Sequence, residues 1–206
     1  MIYLAFLASY LLGSISFAIV ISYFMHLNDP REYGSGNAGA TNVLRSGNKK
    51  AAILTLACDL VKGLLVVLVA RYVFAKVGGG DALVAICGIL VVVGHIYPIF
   101  FKFKGGKGVA TAIGVLLGFN IYLAISLIVI WIITFKLFKI SSLSALVATI
   151  LAPVFAYSLM GNNSYFGATT FITILILWKH KSNIIRLLNK QEQPLVKKDG
   201  DPPVGT

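Results

Sequence analysis

Long apolar runs separated by short polar, glycine-bearing interruptions set the pattern of this chain. Runs that approach or reach about 20 residues match the thickness of a bilayer core. They predict spans over roughly 2–24, 51–70, 82–101, 121–138, 143–160 and 165–178, with a shorter apolar segment over 109–119. Residues 109–138 also read as one very long helix, but Gly118 to Asn120 favours a break, with the shorter piece partly re-entrant or supported by neighbours. Seven membrane helices and an all-α fold are therefore expected. Gly13, Ser14, Ser16 and Ala18 give the first span a small-residue face for close helix packing. Asp29-Pro30 is a turn signal, residues 71–81 with Gly78-Gly79-Gly80 form a short turn, 161–164 another, and Pro153 is an expected kink.

Composition agrees with a polytopic membrane protein: of 206 residues, 58% are hydrophobic and only 12% charged, and the mean hydropathy is +0.87. Residues 1–24 lack a basic n-region and a clear small-residue cleavage site, so this run is expected to remain as a span. The net charge of +11 would suggest nucleic acid in a soluble protein, but here topology accounts for it, and no nucleic-acid partner is expected. With seven spans, 15 of the 18 Lys and Arg fall on one side, Arg71 and Lys76 on the other, and Lys62 within a span. The positive-inside rule then puts the N-terminus outside and the C-terminus in the cytoplasm. One transmembrane domain over 1–190 and a polar, disordered tail over 191–206 are expected. Cys58 and Cys87 lie in apolar runs and read as packing residues.

Two interruptions carry chemistry. Gly34–Arg45 (GSGNAGATNVLR) has closely spaced glycines, which let backbone N–H groups turn toward an anion. A helix beginning near Thr41 adds its positive end, and Arg45 supplies a bidentate fork. Phe101–Thr111 (FKFKGGKGVAT) is a second basic, glycine-rich stretch. Together they suggest one phosphate-handling site on the cytoplasmic side. The 106–108 GKG is not a Walker loop, because the upstream glycine spacing and the following Ser/Thr are missing. No metal-ligand cluster is present, so no metal and no cofactor are expected. Asp59 and Lys62, three residues apart in a span, are read as an internal salt bridge that positions helices rather than as direct catalysts.

These residues resemble the signature of the bacterial acyl-phosphate:glycerol-3-phosphate acyltransferase (PlsY) family. The resemblance rests on Gly34-Ser35-Gly36-Asn37, Gly39-Ala40-Thr41-Asn42 and Arg45, then Gly94-His95, Pro98 and 103–111 (FKGGKGVAT), then the 180–187 segment (HKSNIIRL). It extends to about Glu192 and takes in Asp59, Lys62 and Ser141-Ser142. Lys190 stands where the family usually has a glycine just before the final Glu. The resemblance implies transfer of a fatty acyl group from acyl phosphate to the first hydroxyl of glycerol 3-phosphate. Lysophosphatidic acid and phosphate are the products, in the first step of phospholipid synthesis at the inner membrane, with neither coenzyme A nor acyl carrier protein. Membrane lipid is the remaining partner.

On that reading Arg45, Lys104 and Lys107 neutralise phosphate charge. Ser35, Asn37, Thr41, Asn42, Ser142 and the backbone of Gly36, Gly39, Gly105, Gly106 and Gly108 complete the cradle, while His180 and Asn183 orient glycerol 3-phosphate. Lys102 is read as a positive-inside anchor. His95 is the general-base candidate because an imidazole titrates near working pH. The familiar acyltransferase pairing of His with an Asp five residues on is absent, since position 100 is Phe100. The alternative, which is favoured, has a donor phosphate oxygen accept the proton. Ser35 and Ser142 have no adjacent base in sequence, which disfavours a covalent acyl-enzyme. A carrier for a small organophosphate is the competing function, disfavoured because the anion motifs share one face and no broken-helix repeat marks the midplane. A structural protein binding anionic lipid ranks last, as it would not need Gly, Asn and Thr beside the cations.

Overall fold

A computed structural model describes residues 1–161 and 163–195. Its helices are α1 (Ile2–Gly13), α2 (Phe17–Phe24), α3 (Ala40–Leu44), α4 (Lys49–Lys76), α5 (Asp81–Ile96), α6 (Val109–Phe119), α7 (Ile121–Phe138), α8 (Ser141–Met160), α9 (Ser164–Lys179) and α10 (Lys181–Leu188), with a 3-10 turn at Ile99–Phe101. Among the described residues there is no strand, so the fold is all-α. Among the described residues, four helical stretches are long and apolar enough to cross a membrane, and the bent pair α1 and α2, taken as one span, makes a fifth. The chain is thus an integral membrane protein by its apolar helices.

Three sequence expectations change. The first span is two helices that meet at 47°, because Gly13-Ser14-Ile15-Ser16 interrupts the hydrogen-bond ladder and α2 restarts from Ser16. The expected turn over 71–81 begins later: α4 runs on to Lys76, since Phe74 packs into the core and only the glycines at 78–80 stop the helix. The tail expected to be disordered over 191–206 is held against the bundle at its start, because Leu195 N donates to Lys139 O and Glu192 pairs with Arg186 and accepts from Ser142 Oγ. Residues 196–206 of that expected tail, and position 162 of the expected 161–164 turn, lie outside the described residues. Pro153 is carried inside α8, which continues past it.

The break at Asn120 is as the sequence suggests. Asn120 ends α6 in extended geometry, and its Oδ1 accepts from Tyr122 and Leu123 N to cap α7. With 11 residues, α6 is about 16 Å long, half of a bilayer core, and it survives because neighbours enclose it. Glycines bring those neighbours in. A side chain at Gly114 would strike Leu60 O, one at Gly63 would strike Thr111 O, and one at Gly118 would strike Val67, so α4 and α6 touch backbone to backbone. Gly13 against Val91 O and Gly94 against Tyr10 O do the same for α1 and α5. At the far end Arg71 donates to Phe119 O at 3.0 Å and thereby satisfies the end of α6.

Candidate active site

The first glycine loop is held by its own polar residues. Asn42, fully buried, accepts from Ser35 N at 2.9 Å and donates to Pro30 O at 2.6 Å and Tyr33 O at 3.1 Å. Its amide is therefore a brace for the loop, which leaves Ser35 and Asn37 at the cavity wall. Gly34 and Gly36 take φ of 58° and 66°, a conformation costly for other residues, which turns the loop back on itself. Asp29 and Arg31 form a 2.6 Å ion pair, and Arg31 Nη1 reaches Phe101 O at 3.3 Å, joining the first loop to the second.

The second loop docks on His95. Gly106 N donates to His95 O at 3.2 Å, and a side chain at Gly106 would strike the imidazole or Ala38 O. Gly105 lies against His95 O and Pro98 with the same absence of space. Gly108, at φ 93°, then opens α6, whose first-turn N–H groups add positive potential beside Lys107.

Lys107 begins a polar network that gathers residues from four segments. Its Nζ donates to Asn183 Oδ1. Asn183 Nδ2 and Ser142 Oγ both donate to Glu192 Oε1 at 2.6 Å, and Arg186 Nε donates to Glu192 Oε2 at 2.6 Å. Burial alone would raise the Glu192 carboxyl, but these hydrogen bonds and the Arg186 charge outweigh it and hold it below its ordinary value. Lys107 is pushed down to about 8, chiefly by burial, with Glu192 opposing and Arg186, Arg45 and Lys179 adding to the fall. His180 is pushed down to about 4 by burial above all. It is neutral at pH 7, its Nδ1 bonded to Ile176 O at 2.9 Å and its Nε2 left as an acceptor.

A cavity of about 1330 Å³ joins this polar cluster to the apolar bundle. Ser35, Asn37, Thr41, Arg45, Lys107, His180 and Asn183 line one end, and Leu60, Ile113, Leu116, Leu127, Trp131 and Ile172 the other. A polar recess of about 700 Å³ adjoins it, shares Ser35, Asn37, Lys107 and Arg186 with it, and adds Gly36, Arg31, Lys102, Lys104 and Gly105. Such a shape fits an amphiphile with an anionic head and a long apolar tail.

The sequence-selected residues are thus brought together, though not equally. Thr41 Oγ1 lies 3.2 Å from Ser141 Oγ, Gly39 caps α3, and Ser142 faces the cavity with its hydroxyl on Glu192. Lys104 lines the recess but not the larger cavity, and Lys102 shares the recess. His95 is buried, with Nδ1 at 3.1 Å from Lys62 Nζ and 3.4 Å from Asp59 Oδ1. The acidic residue missing from its sequence neighbourhood is supplied in space by α4. Among the described residues no group of three or more His, Cys, Asp or Glu side chains converges.

Three residues that the structure places in this polar network or beside the recess were not singled out from the sequence: Glu192, Arg186 and Arg31. Arg31 had a signal in the adjacent Asp29-Pro30 turn. Arg186 and Glu192 had only their place in the segment that ends the family resemblance.

Comparison with known proteins bears on this geometry. The family model described as "Glycerol-3-phosphate acyltransferase" matches residues 3–190. A protein of that name from Chromobacterium violaceum is 50% identical over 190 residues, covering 92% of each chain. Another of that name, from Neisseria meningitidis serogroup C, is 51% identical over 187 residues, covering 91% of this chain and 94% of the relative. Among solved structures, the glycerol 3-phosphate form of PlsY (YgiH), described as an integral membrane glycerol 3-phosphate acyltransferase, superimposes with a TM-score of 0.87 at 36% identity over 94% of both chains. Its lysophosphatidic acid form gives 0.85 at 35% identity, again over 94% of both chains.

Proposed function

This chain belongs to the glycerol-3-phosphate acyltransferase family, and from that premise we propose that its cationic cleft transfers a fatty acyl group from acyl phosphate to the 1-hydroxyl of glycerol 3-phosphate. The protein is a membrane acyltransferase and not an organophosphate carrier. The observation that carries the donor proposal is the meeting of two anion-binding loops at one end of a single apolar cavity. Two phosphorylated substrates need cations and free N–H groups there, and an acyl tail needs the apolar remainder.

In the reaction the 1-hydroxyl oxygen attacks the acyl carbonyl carbon. An ester C–O bond forms, the C–O bond to the donor phosphate breaks, and the hydroxyl proton passes to an oxygen of the departing phosphate. Lysophosphatidic acid and inorganic phosphate result. Arg45, Lys104 and Lys107 stabilise charge on the phosphates, with Ser35, Asn37, Thr41 and the loop glycines as donors. Asn183 and the neutral His180 orient glycerol 3-phosphate, His180 accepting through Nε2. Because His95 Nδ1 faces Lys62 and Asp59, the donor phosphate is the better proton acceptor.

The finer topology follows the charge pattern. Seven crossings, counting the short α6 and α9, put the N-terminus outside and both loops and α10 in the cytoplasm of a bacterium, with the protein in its inner membrane. Residues 1–190 act as one catalytic domain, which Glu192 completes from the start of the tail. The donor is tested by offering purified protein palmitoyl phosphate, palmitoyl coenzyme A or palmitoyl acyl carrier protein with labelled glycerol 3-phosphate. Labelled lysophosphatidic acid is expected from palmitoyl phosphate alone, and product from either of the other two would overturn the donor assignment.

A further inference from the structure

Lys62 is an ammonium enclosed in the bundle, and its partners come from α1, the break after it, α2, its own helix and α5. Its Nζ donates to Gly13 O at 3.1 Å and Ile15 O at 2.8 Å, lies 2.8 Å from Asp59 Oδ1 on its own helix, and lies 3.1 Å from His95 Nδ1 on α5. The Phe17 ring of α2 covers it at 5.6 Å. The two carbonyls belong to the break between α1 and α2, where Ile19 N bonds Ser16 O and leaves Ile15 O without its helical partner. A carbonyl at membrane depth without a partner is costly, so the break needs a donor, and Lys62 brings one with a charge that Asp59 balances.

The contacts do not stop there. The imidazole that Lys62 and Asp59 fix is the surface on which Gly106 docks, and Gly106 immediately precedes Lys107. A continuous path of bonds therefore runs from the broken first span through Lys62 and His95 into the second anion-binding loop.

We propose that Lys62 is a positioning residue for the acyl transfer, holding His95 so that the Gly106 backbone and the Lys107 ammonium stand at the phosphate. The inference rests on the reading of the second loop as a phosphate cradle. Loss of Lys62 would then act through Lys107, and its effect would vanish where Lys107 is already gone. A salt bridge that only joins helices would lower activity by the same factor whether Lys107 is present or not.

The test is a double-mutant cycle on the purified full-length chain, with lysophosphatidic acid formation and thermal midpoints measured for wild type, Lys62→Met, Lys107→Met and the double variant. Replacing Lys62 alone leaves Asp59 as an unpaired buried charge, so the cycle is repeated with Asp59→Asn/Lys62→Met, which removes both charges. The expected result is a loss of about tenfold or more in kcat/KM from the Lys62 change, shrinking to within about twofold in the Lys107→Met background. Equal losses in both backgrounds would overturn the positioning role while leaving the phosphate cradle standing. A Lys107→Met protein as active as wild type would overturn the cradle reading itself, and with it this inference.

Discussion

Lys107 stands where the parts of the site meet: it lies just ahead of Gly108, the N-cap of α6, bonds Asn183, and stands in the field of Arg45, Arg186 and Lys179. Its lowered value gives a definite pH dependence. A lysine is charged below its pKa, so phosphate attraction is present below about 8 and fades as pH rises through that value. kcat/KM should fall on the alkaline side of about 8 in wild type, and Lys107→Arg, which keeps its charge, should remove that limb even where activity is lower. A pH–rate profile of both proteins checks this. Glu192→Gln should cost roughly tenfold or more in kcat/KM, since it leaves Arg186 without its carboxylate and loosens Ser142 and Asn183; steady-state assays with folded protein would show it. Lys190 sits at φ 56°, a left-handed conformation in which glycine is unstrained. Lys190→Gly should therefore raise stability by up to about 1 kcal/mol, read as a small rise in thermal midpoint. The loop cations were legible because each lies inside a contiguous glycine-rich run. Glu192 was not, because its partner Ser142 is 50 positions away and its own surroundings are polar chain with no periodicity.

Glycine-mediated crossings decide how the helices approach one another. Gly114 on α6 leaves no room for a side chain against Leu60 O of α4. Gly114→Leu should force these helices apart, at a cost of about 1–3 kcal/mol or more, seen as a lower thermal midpoint and loss of monodisperse protein in detergent. The separation of α6 from α7 could be read from Asn120, whose side chain is a strong helix cap. The break between α1 and α2 could not, because the interrupting residues are small and apolar or hydroxylic and the hydropathy stays high across them. What makes that break tolerable is Lys62, 47 positions beyond Ile15. The continuation of α4 to Lys76 was hidden in the same way, since the charge of Arg71 looks like a span end until its bond to Phe119 O is seen.

The bundle gathers two charged loops and α10 around an otherwise apolar cavity, a geometry with room for a lipid tail within the bundle and its head beside the loops. The charge pattern expects those loops inside the cell. In a background with Cys58 and Cys87 replaced, a cysteine at Gly78 should react with an impermeant thiol reagent added to intact cells, while one at Gly47 should react only after lysis. If the cationic loops serve both substrates, acyl transfer and phosphate release are one event there. The most direct test is to give purified protein palmitoyl phosphate with and without glycerol 3-phosphate, and to count both products. Equal amounts of phosphate and lysophosphatidic acid, formed only with glycerol 3-phosphate and abolished by Lys104→Ala, are predicted. Phosphate release that ignores glycerol 3-phosphate, or lysophosphatidic acid formation undiminished in Lys104→Ala, would contradict it.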